Sequence, residues 1–256
     1  MKADYSKIAS YYDEARSLSE QNVVIWLKLI ADRSGAHKGA RVLDLGCGTG
    51  RFSLPMANWL GFNVTGADSS EEMLAKAKQK DSDAIVNWEH ENASSLTFPE
   101  GSFDVVFMSH LLHHVDSPLA VIEESERVLV PSGVILIRYG AMDQIRNDVE
   151  HTFFPQAIQI DETRAHSRQL TEKWLVEAGF IGISSEEIEQ QTYQTGIARL
   201  NAARTKSTSV LSMISEESFA IGIRRLEEYV DKKPDDEWLL FDRMTFTVGR
   251  KRAANA

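Results

Sequence analysis

The residues most able to do chemistry begin at Val42-Leu43-Asp44-Leu45-Gly46-Cys47-Gly48-Thr49-Gly50, an apolar run that ends in glycines at every second position. Glycine at 46, 48 and 50 removes the Cβ from a tight turn, permits positive φ, and leaves amide groups open to a ligand lying across them. Asp44 brings a charge to the end of a short apolar strand and needs a donor, from the protein or from a ligand. Asp68 follows Gly66-Ala67 about twenty positions later, the spacing at which a carboxylate reaches ribose hydroxyls in nucleotide folds. Ser109, His110 and Tyr139 fall at the ends of two further apolar runs. Histidine exchanges protons near neutral pH, so His110, with Tyr139 beside it, is a candidate general base. His110, His113 and His114 share one face, but no cysteine and no His-Glu-x-x-His arrangement accompanies them, and no metal site is expected.

These residues need a scaffold of alternating strands and helices, and the chain supplies the pattern. Val23, Val24, Trp26, Leu27 and Ile30 mark one face of a helix that starts at Glu20 and stops at Gly35. Strands are expected at 40–45, 62–67, 84–88, 103–108 and 134–139. Between them lie helices at 52–60, at 71–80 behind a capping box of Ser69 and Glu72, and from Pro118 behind the cap Ser117. Strict alternation of this kind implies a doubly wound, parallel α/β sheet. Residues 141–169 break the rhythm. A helix over 171–178, a strand over 180–188, a long helical stretch over 193–233 and a last strand over 238–248 complete the chain.

Size and composition narrow the partners. The 256 residues, 43% hydrophobic, suffice for one large domain with insertions. The division expected is N-terminal cap helices over 1–39, a cofactor-binding core over 40–140, and insertions at 141–169 and 193–233 that roof the acceptor. A formal charge of −10 argues against a nucleic-acid partner. The single cysteine, Cys47, forms no internal disulfide. No stretch reaches the ~18 apolar residues of a membrane span, and the expectation is a cytoplasmic protein without membrane contact.

Together these motifs resemble a class I S-adenosylmethionine-dependent methyltransferase of the broad small-molecule, type 11-like group that includes the ubiquinone-type and trans-aconitate-type enzymes. The likeness rests on residues 42–50, Gly66-Ala67-Asp68, the stretch 98–108, Leu112-His113-His114-Val115, and Arg127-Val128-Leu129 before Pro131-Ser132-Gly133. It implies a Rossmann-like seven-stranded sheet with an antiparallel last strand. It also implies roles. Asp44, Gly46, Cys47, Gly48 and Gly50 would hold the methionine part of S-adenosylmethionine, Asp68 the ribose, and Ser69, Met73, Asn92 and Ala93 the adenine. Tyr11 and Arg16 would close on the cofactor, with Ser109 and His110 beside the reactive methyl. Asn92 departs from the family's usual aspartate: its amide oxygen still accepts but carries no charge. His113 and His114 would shape their loop.

Methyl transfer to a small molecule, leaving S-adenosylhomocysteine, is therefore the expected reaction. A nicotinamide oxidoreductase is the rival, but the dinucleotide fingerprint needs glycine where this chain has Arg51. A non-catalytic cofactor-binding scaffold is the third possibility. Ser109-His110-Leu111-Leu112 stands where adenine and glutamine N-methyltransferases carry Asn-Pro-Pro-Tyr, which disfavours such planar targets. Arg138, Arg164, Arg199 and Arg204 suggest an anionic metabolite as acceptor, with a hydrophobic phenol or quinone as second choice.

Overall fold

Why the first half forms a parallel sheet is visible in its burial. The computed structural model describes residues 19–206 and 208–253. After α1 (Glu20–Ser34) come β1 (Arg41–Leu45), α2 (Ser53–Leu60), β2 (Asn63–Asp68), α3 (Glu71–Lys80), β3 (Asn87–His90) and β4 (Phe103–Ser109). Residues 42–45 and 105–108 are buried without alternation, as expected of strands covered on both faces. A helical turn at Leu112–His114, α4 (Pro118–Val128) and β5 (Leu129–Tyr139) follow.

The second half contains α5 (Met142–Ile145), α6 (Val149–Phe153), α7 (Pro155–Asp161), α8 (Arg168–Glu177), β6 (Ile181–Gln191), α9 (Gly196–Arg204), α10 (Glu216–Lys232) and β7 (Phe241–Arg250). The seven strands form one sheet in the order β3-β2-β1-β4-β5-β7-β6. Only β7 runs antiparallel to β5 among the strand pairs whose register is defined. This is the doubly wound, Rossmann-like arrangement expected from the sequence, last strand included.

Several local boundaries differ from those expected, and three of the differences have a plain physical reason. Ser70, not Ser69, caps α3: its Oγ accepts from Met73 N at 3.2 Å and donates to Glu72. The third strand begins at Asn87 rather than Ala84, because the Asp81 carboxylate takes the amides of Ile85 and Val86 and the Trp88 indole N–H, so 84–86 wrap that side chain. β5 starts at Leu129, before the expected turn at 131–133. Ser132 there has φ +68°, and the pairing with β4 slips between Phe103 and Val105.

Two compact units emerge. One comprises 23–139, 169–186 and 245–253 and holds the glycine turn; the other comprises 140–168 and 187–244, with 19–22. The expected insertions thus fall within one helical unit with its own core of Val149, Phe153, Phe154, Leu200, Leu211 and Leu226. Gly222 on α10 belongs to this packing: a Cβ there would overlap the Phe154 ring. Gly222→Ala should therefore cost about 1–3 kcal/mol through overpacking, despite alanine's better helix propensity. A thermal melt checks this, and an unchanged or raised midpoint would contradict it.

Candidate functional site

Strand register assembles the site. Leu45 pairs with Ala67 on β2 and with Met108 on β4. Gly46, Asp68 and Ser109, one residue further on, therefore leave three adjacent strands at one level of the carboxyl edge, where the strand order reverses between β1 and β4 and α/β sheets bind ligands.

The glycine turn is a preformed loop whose amides are largely used internally, unlike the open array expected from sequence. Gly46 N and Cys47 N both donate to Ala67 O, at 2.8 and 3.0 Å, and Gly50 N donates to Cys47 O. Gly48 N donates to Asp68 Oδ2 at 2.8 Å, while Ser70 N donates to Oδ1 at 2.9 Å. Each carboxylate oxygen of Asp68 keeps a second lone pair for a ligand hydroxyl. The three glycines, all at positive φ, serve different ends. A Cβ on Gly46 would lie 2.8 Å from Leu111, and one on Gly50 2.5 Å from Trp88, whereas one on Gly48 would meet nothing within 4 Å among the described residues. Gly46 and Gly50 admit neighbouring side chains. Of the three, Gly48 alone faces open space among the described residues.

Electrostatics sharpen the picture. Asp44 is buried, and burial raises its pKa to about 7, opposed by the Ser53 hydroxyl and assisted by the charge of Asp68, with Arg51 pulling back. Ser53 Oγ donates to Asp44 Oδ2 at 2.5 Å. Burial also raises Asp68, against the amides that hold its charged form. Two carboxylates at this edge, both pushed up by burial, favour a cationic ligand. Burial pushes the Cys47 thiol well up, and its Sγ lies 3.2 Å from where a Gly66 Cβ would stand, so it packs as a small apolar group.

The remaining candidates fall as follows. Met73 is buried on α3, while Ser69 is exposed and its carbonyl accepts from His90 Nε2. Asn92 is exposed, its Oδ1 accepting from Ser94 N at 3.0 Å, with Ala93 beside it. Ser109 Oγ accepts from Arg138 Nη1 at 3.1 Å, and the Arg138 guanidinium stacks 4.5 Å from the Trp26 ring. His110 has φ +56° and donates its amide to Arg138 O; its ring meets His113 edge-on, and the His113 ring lies 3.8 Å from that of His114, tilted by 47°. A histidine in the left-handed region is uncommon and marks a position held by its surroundings.

Tyr139 lies on the face opposite the Ser109 and Arg138 side chains. Arg138 is aligned with Ser109, so strand alternation turns Tyr139 to the other side. There its hydroxyl bonds Thr247 Oγ1 at 3.2 Å, which also bonds Ser185. Tyr11 and Arg16 lie outside the described residues.

Each of the four arginines named as an anion clamp is engaged within the chain. Besides Arg138, Arg164 bonds Asp161 and Ser209. Arg199 is buried against Asp242 and the carbonyls of Leu239 and Phe241, and Arg204 pairs with Glu227. Trp88 and Leu111, which shape the glycine turn, and Ser53, which holds Asp44, were not anticipated from sequence. Pairing glycines 46, 50 and 66 with bulky residues in or just after neighbouring strands is the signal that could have found the first two.

Comparison with known proteins agrees with this geometry. Residues 43–137 match the methyltransferase-domain family. The chain is 30% identical over 159 residues to the ubiquinone/menaquinone biosynthesis C-methyltransferase UbiE of Bdellovibrio bacteriovorus, covering 60% of this chain and 68% of that protein. It is 29% identical over 217 residues to the demethylmenaquinone methyltransferase of Oceanobacillus iheyensis, covering 77% and 91%. Among solved structures, phosphoethanolamine N-methyltransferase 2 of Haemonchus contortus with bound S-adenosyl-L-methionine superposes with a TM-score of 0.64 at 20% identity, over 95% of this chain and 56% of that one.

Proposed function

The chain belongs to the class I S-adenosylmethionine-dependent methyltransferases, and from that premise we propose that its acceptor is a small phenol- or quinol-type molecule. Its cofactor is S-adenosylmethionine, and the residues at the carboxyl edge fit it. Gly48 offers open space, and Asp44 and Asp68 supply negative charge and lone pairs for an ammonium, a sulfonium and ribose hydroxyls. Bound there, the cofactor brings an electrophilic methyl whose activation is built into the sulfonium. The protein's own residues must hold the acceptor in line, exclude water, and take up a proton.

The observation that carries the acceptor class is the commitment of the arginines. An anionic metabolite would have to draw Arg138 from Ser109, Arg164 from Asp161, Arg199 from Asp242 or Arg204 from Glu227, whereas a neutral ring asks for none of them. The names of the quinone C-methyltransferases among its relatives support the same class. The test is methyl incorporation from labelled cofactor into a short-chain 1,4-naphthoquinol, into simple phenols and into small carboxylic acids. Incorporation into the quinol or phenols is the expected result; incorporation confined to the acids would overturn the acceptor class.

Within this reading His110 receives the acceptor's proton. Glycine tolerates φ +56° better than histidine does, so His110→Gly should fold at least as stably as the parent. The same change should lower kcat about a hundredfold, in line with loss of a general base, with unchanged affinity for S-adenosylhomocysteine. A kcat within about threefold of the parent would remove His110 from the chemistry.

Asp44 gives the cofactor step a pH dependence. Its pKa of about 7 means that an ammonium must bind to the ionised form or drive off the proton. Affinity for S-adenosylhomocysteine should rise with pH up to about 7 and level off above it, a profile that Asp44→Asn flattens. Calorimetric titration over a pH series reads this directly.

A further inference from the structure

The helical unit carries a partly open pocket of about 510 Å³, within the range of small-molecule sites, and no step of methyl transfer described above uses it. Its wall is contributed by the residues that follow β5, by the far end of β6 and by the segment leading into β7. The lining is chemically lopsided. Seven carboxylates face two guanidiniums, Arg199 and Arg243. Arg199 is held by Asp242 at 2.5 Å, and Arg243 lies between Glu187 and Glu189 at 3.6 and 3.4 Å. From outside the lining, His151 reaches Asp148 and Arg168 reaches Asp143. Five of the seven carboxylates thus meet a cation; among the described residues Glu150 and Glu237 form no ion pair.

Glu150 shows the consequence. Burial, with Asp148 adding to it and Arg199 opposing, raises its carboxyl to about 7. Negative charge in this wall is under-compensated. The uncharged part of the wall is mixed: Ile145, Val149, Trp238, Phe241 and Met244 are apolar, and Gln144, Asn147 and Thr208 are neutral and polar. Among the described residues no three His, Cys, Asp or Glu side chains could hold a metal ion, so the wall is not built for a bare cation. A ligand that satisfies both parts has a hydrocarbon body and a protonated nitrogen.

We infer that this cavity is a binding site for a small organic amine, with the ammonium directed to Glu150 and the carboxylates around it and the hydrocarbon body against Trp238 and its apolar neighbours. The inference goes beyond methyl transfer to a phenol or quinol and does not depend on that acceptor.

The test is calorimetric titration of the full chain with n-hexylamine and, separately, with n-hexanol, which has the same body without the charge. Hexylamine should bind at least tenfold more tightly than hexanol. Glu150→Gln removes the buried charge isosterically and should weaken hexylamine tenfold or more, while affinity for S-adenosylhomocysteine stays at the parent value. Glu189→Gln, at a side chain that is 54% exposed, perturbs folding less and should weaken hexylamine severalfold. Glu216→Gln, on α10 outside the cavity, should leave it unchanged. Equal binding of hexylamine and hexanol, or hexylamine binding that ignores both cavity variants, would overturn the inference. Because the readout is binding, it stands apart from any failure to methylate a quinol.

Discussion

Asp68→Ala should weaken S-adenosylhomocysteine binding a hundredfold or more, the largest effect of any single substitution at the carboxyl edge. Two losses combine. In the free protein the Asp68 carboxylate holds Gly48 N at 2.8 Å and Ser70 N at 2.9 Å, so it fixes both the middle of the glycine turn and the entry to α3. Its removal leaves two amides without these acceptors, at about 1–3 kcal/mol for each that stays buried. In the complex its remaining lone pairs accept the ribose hydroxyls, and charge-assisted bonds of that kind contribute about 1.5–3 kcal/mol each.

Asp68→Asn separates the two losses, since one amide oxygen still accepts while the charge is gone; it should fall between the parent and Asp68→Ala. Calorimetric titration measures all three proteins. An Asp68→Ala affinity within threefold of the parent would show that the turn binds its ligand without this side chain.

The second large effect lies in the helical unit. His151 is 3% exposed and is bonded through Nδ1 to Asp148 at 2.8 Å and through Nε2 to Asp161 at 2.9 Å. Arg164 also reaches Asp161 and extends the network to Ser209. Burial alone would lower the imidazole's pKa, but the bonds and charges of the two aspartates outweigh it and raise it to about 10. Burial likewise pushes Asp161 up, and His151 and Arg164 overcome it, so that its carboxyl lies below the ordinary value.

His151→Leu keeps the volume but takes one partner from Asp148 and one from Asp161, which keeps Arg164; breaking a buried pair of this kind costs about 3–5 kcal/mol. Because the folded pKa is raised from 6.5 to about 10, the His151 contribution is complete below pH 6.5 and drains away as pH rises through about 10. Chemical denaturation of parent and variant should therefore differ most in mildly acidic buffer and converge toward alkaline pH. A difference that stays constant with pH would mean that His151 is neutral in the folded protein.

Much of the sheet-bearing unit is legible in the sequence because its determinants are local. Uninterrupted apolar runs give strands buried on both faces, Ser117-Pro118 gives the start of a helix, and Gly61 and Gly179 end helices at φ +66° and +92°. Alternation of these elements leaves the doubly wound parallel sheet as the economical arrangement. Asp44 and Asp68 follow from position alone, since the ends of strands that are neighbours in the sheet must meet.

Tertiary structure decided what depends on side chains distant in sequence. A glycine in the sequence hints at a bulky neighbour but does not name it: the fold packs Trp88 on Gly50 and Gly66 and Leu111 on Gly46, so that among the described residues only Gly48 of the turn's three glycines faces open space. Nor does sequence separate an arginine aimed at a ligand from one consumed by its own chain. Arg199 and Arg204 carry the charge an anionic acceptor needs, but Asp242 and Glu227, 43 and 23 residues away, take it up. Charge is a property of one residue and can be read from its letter. Availability belongs to a pair, and only folding brings the pair together.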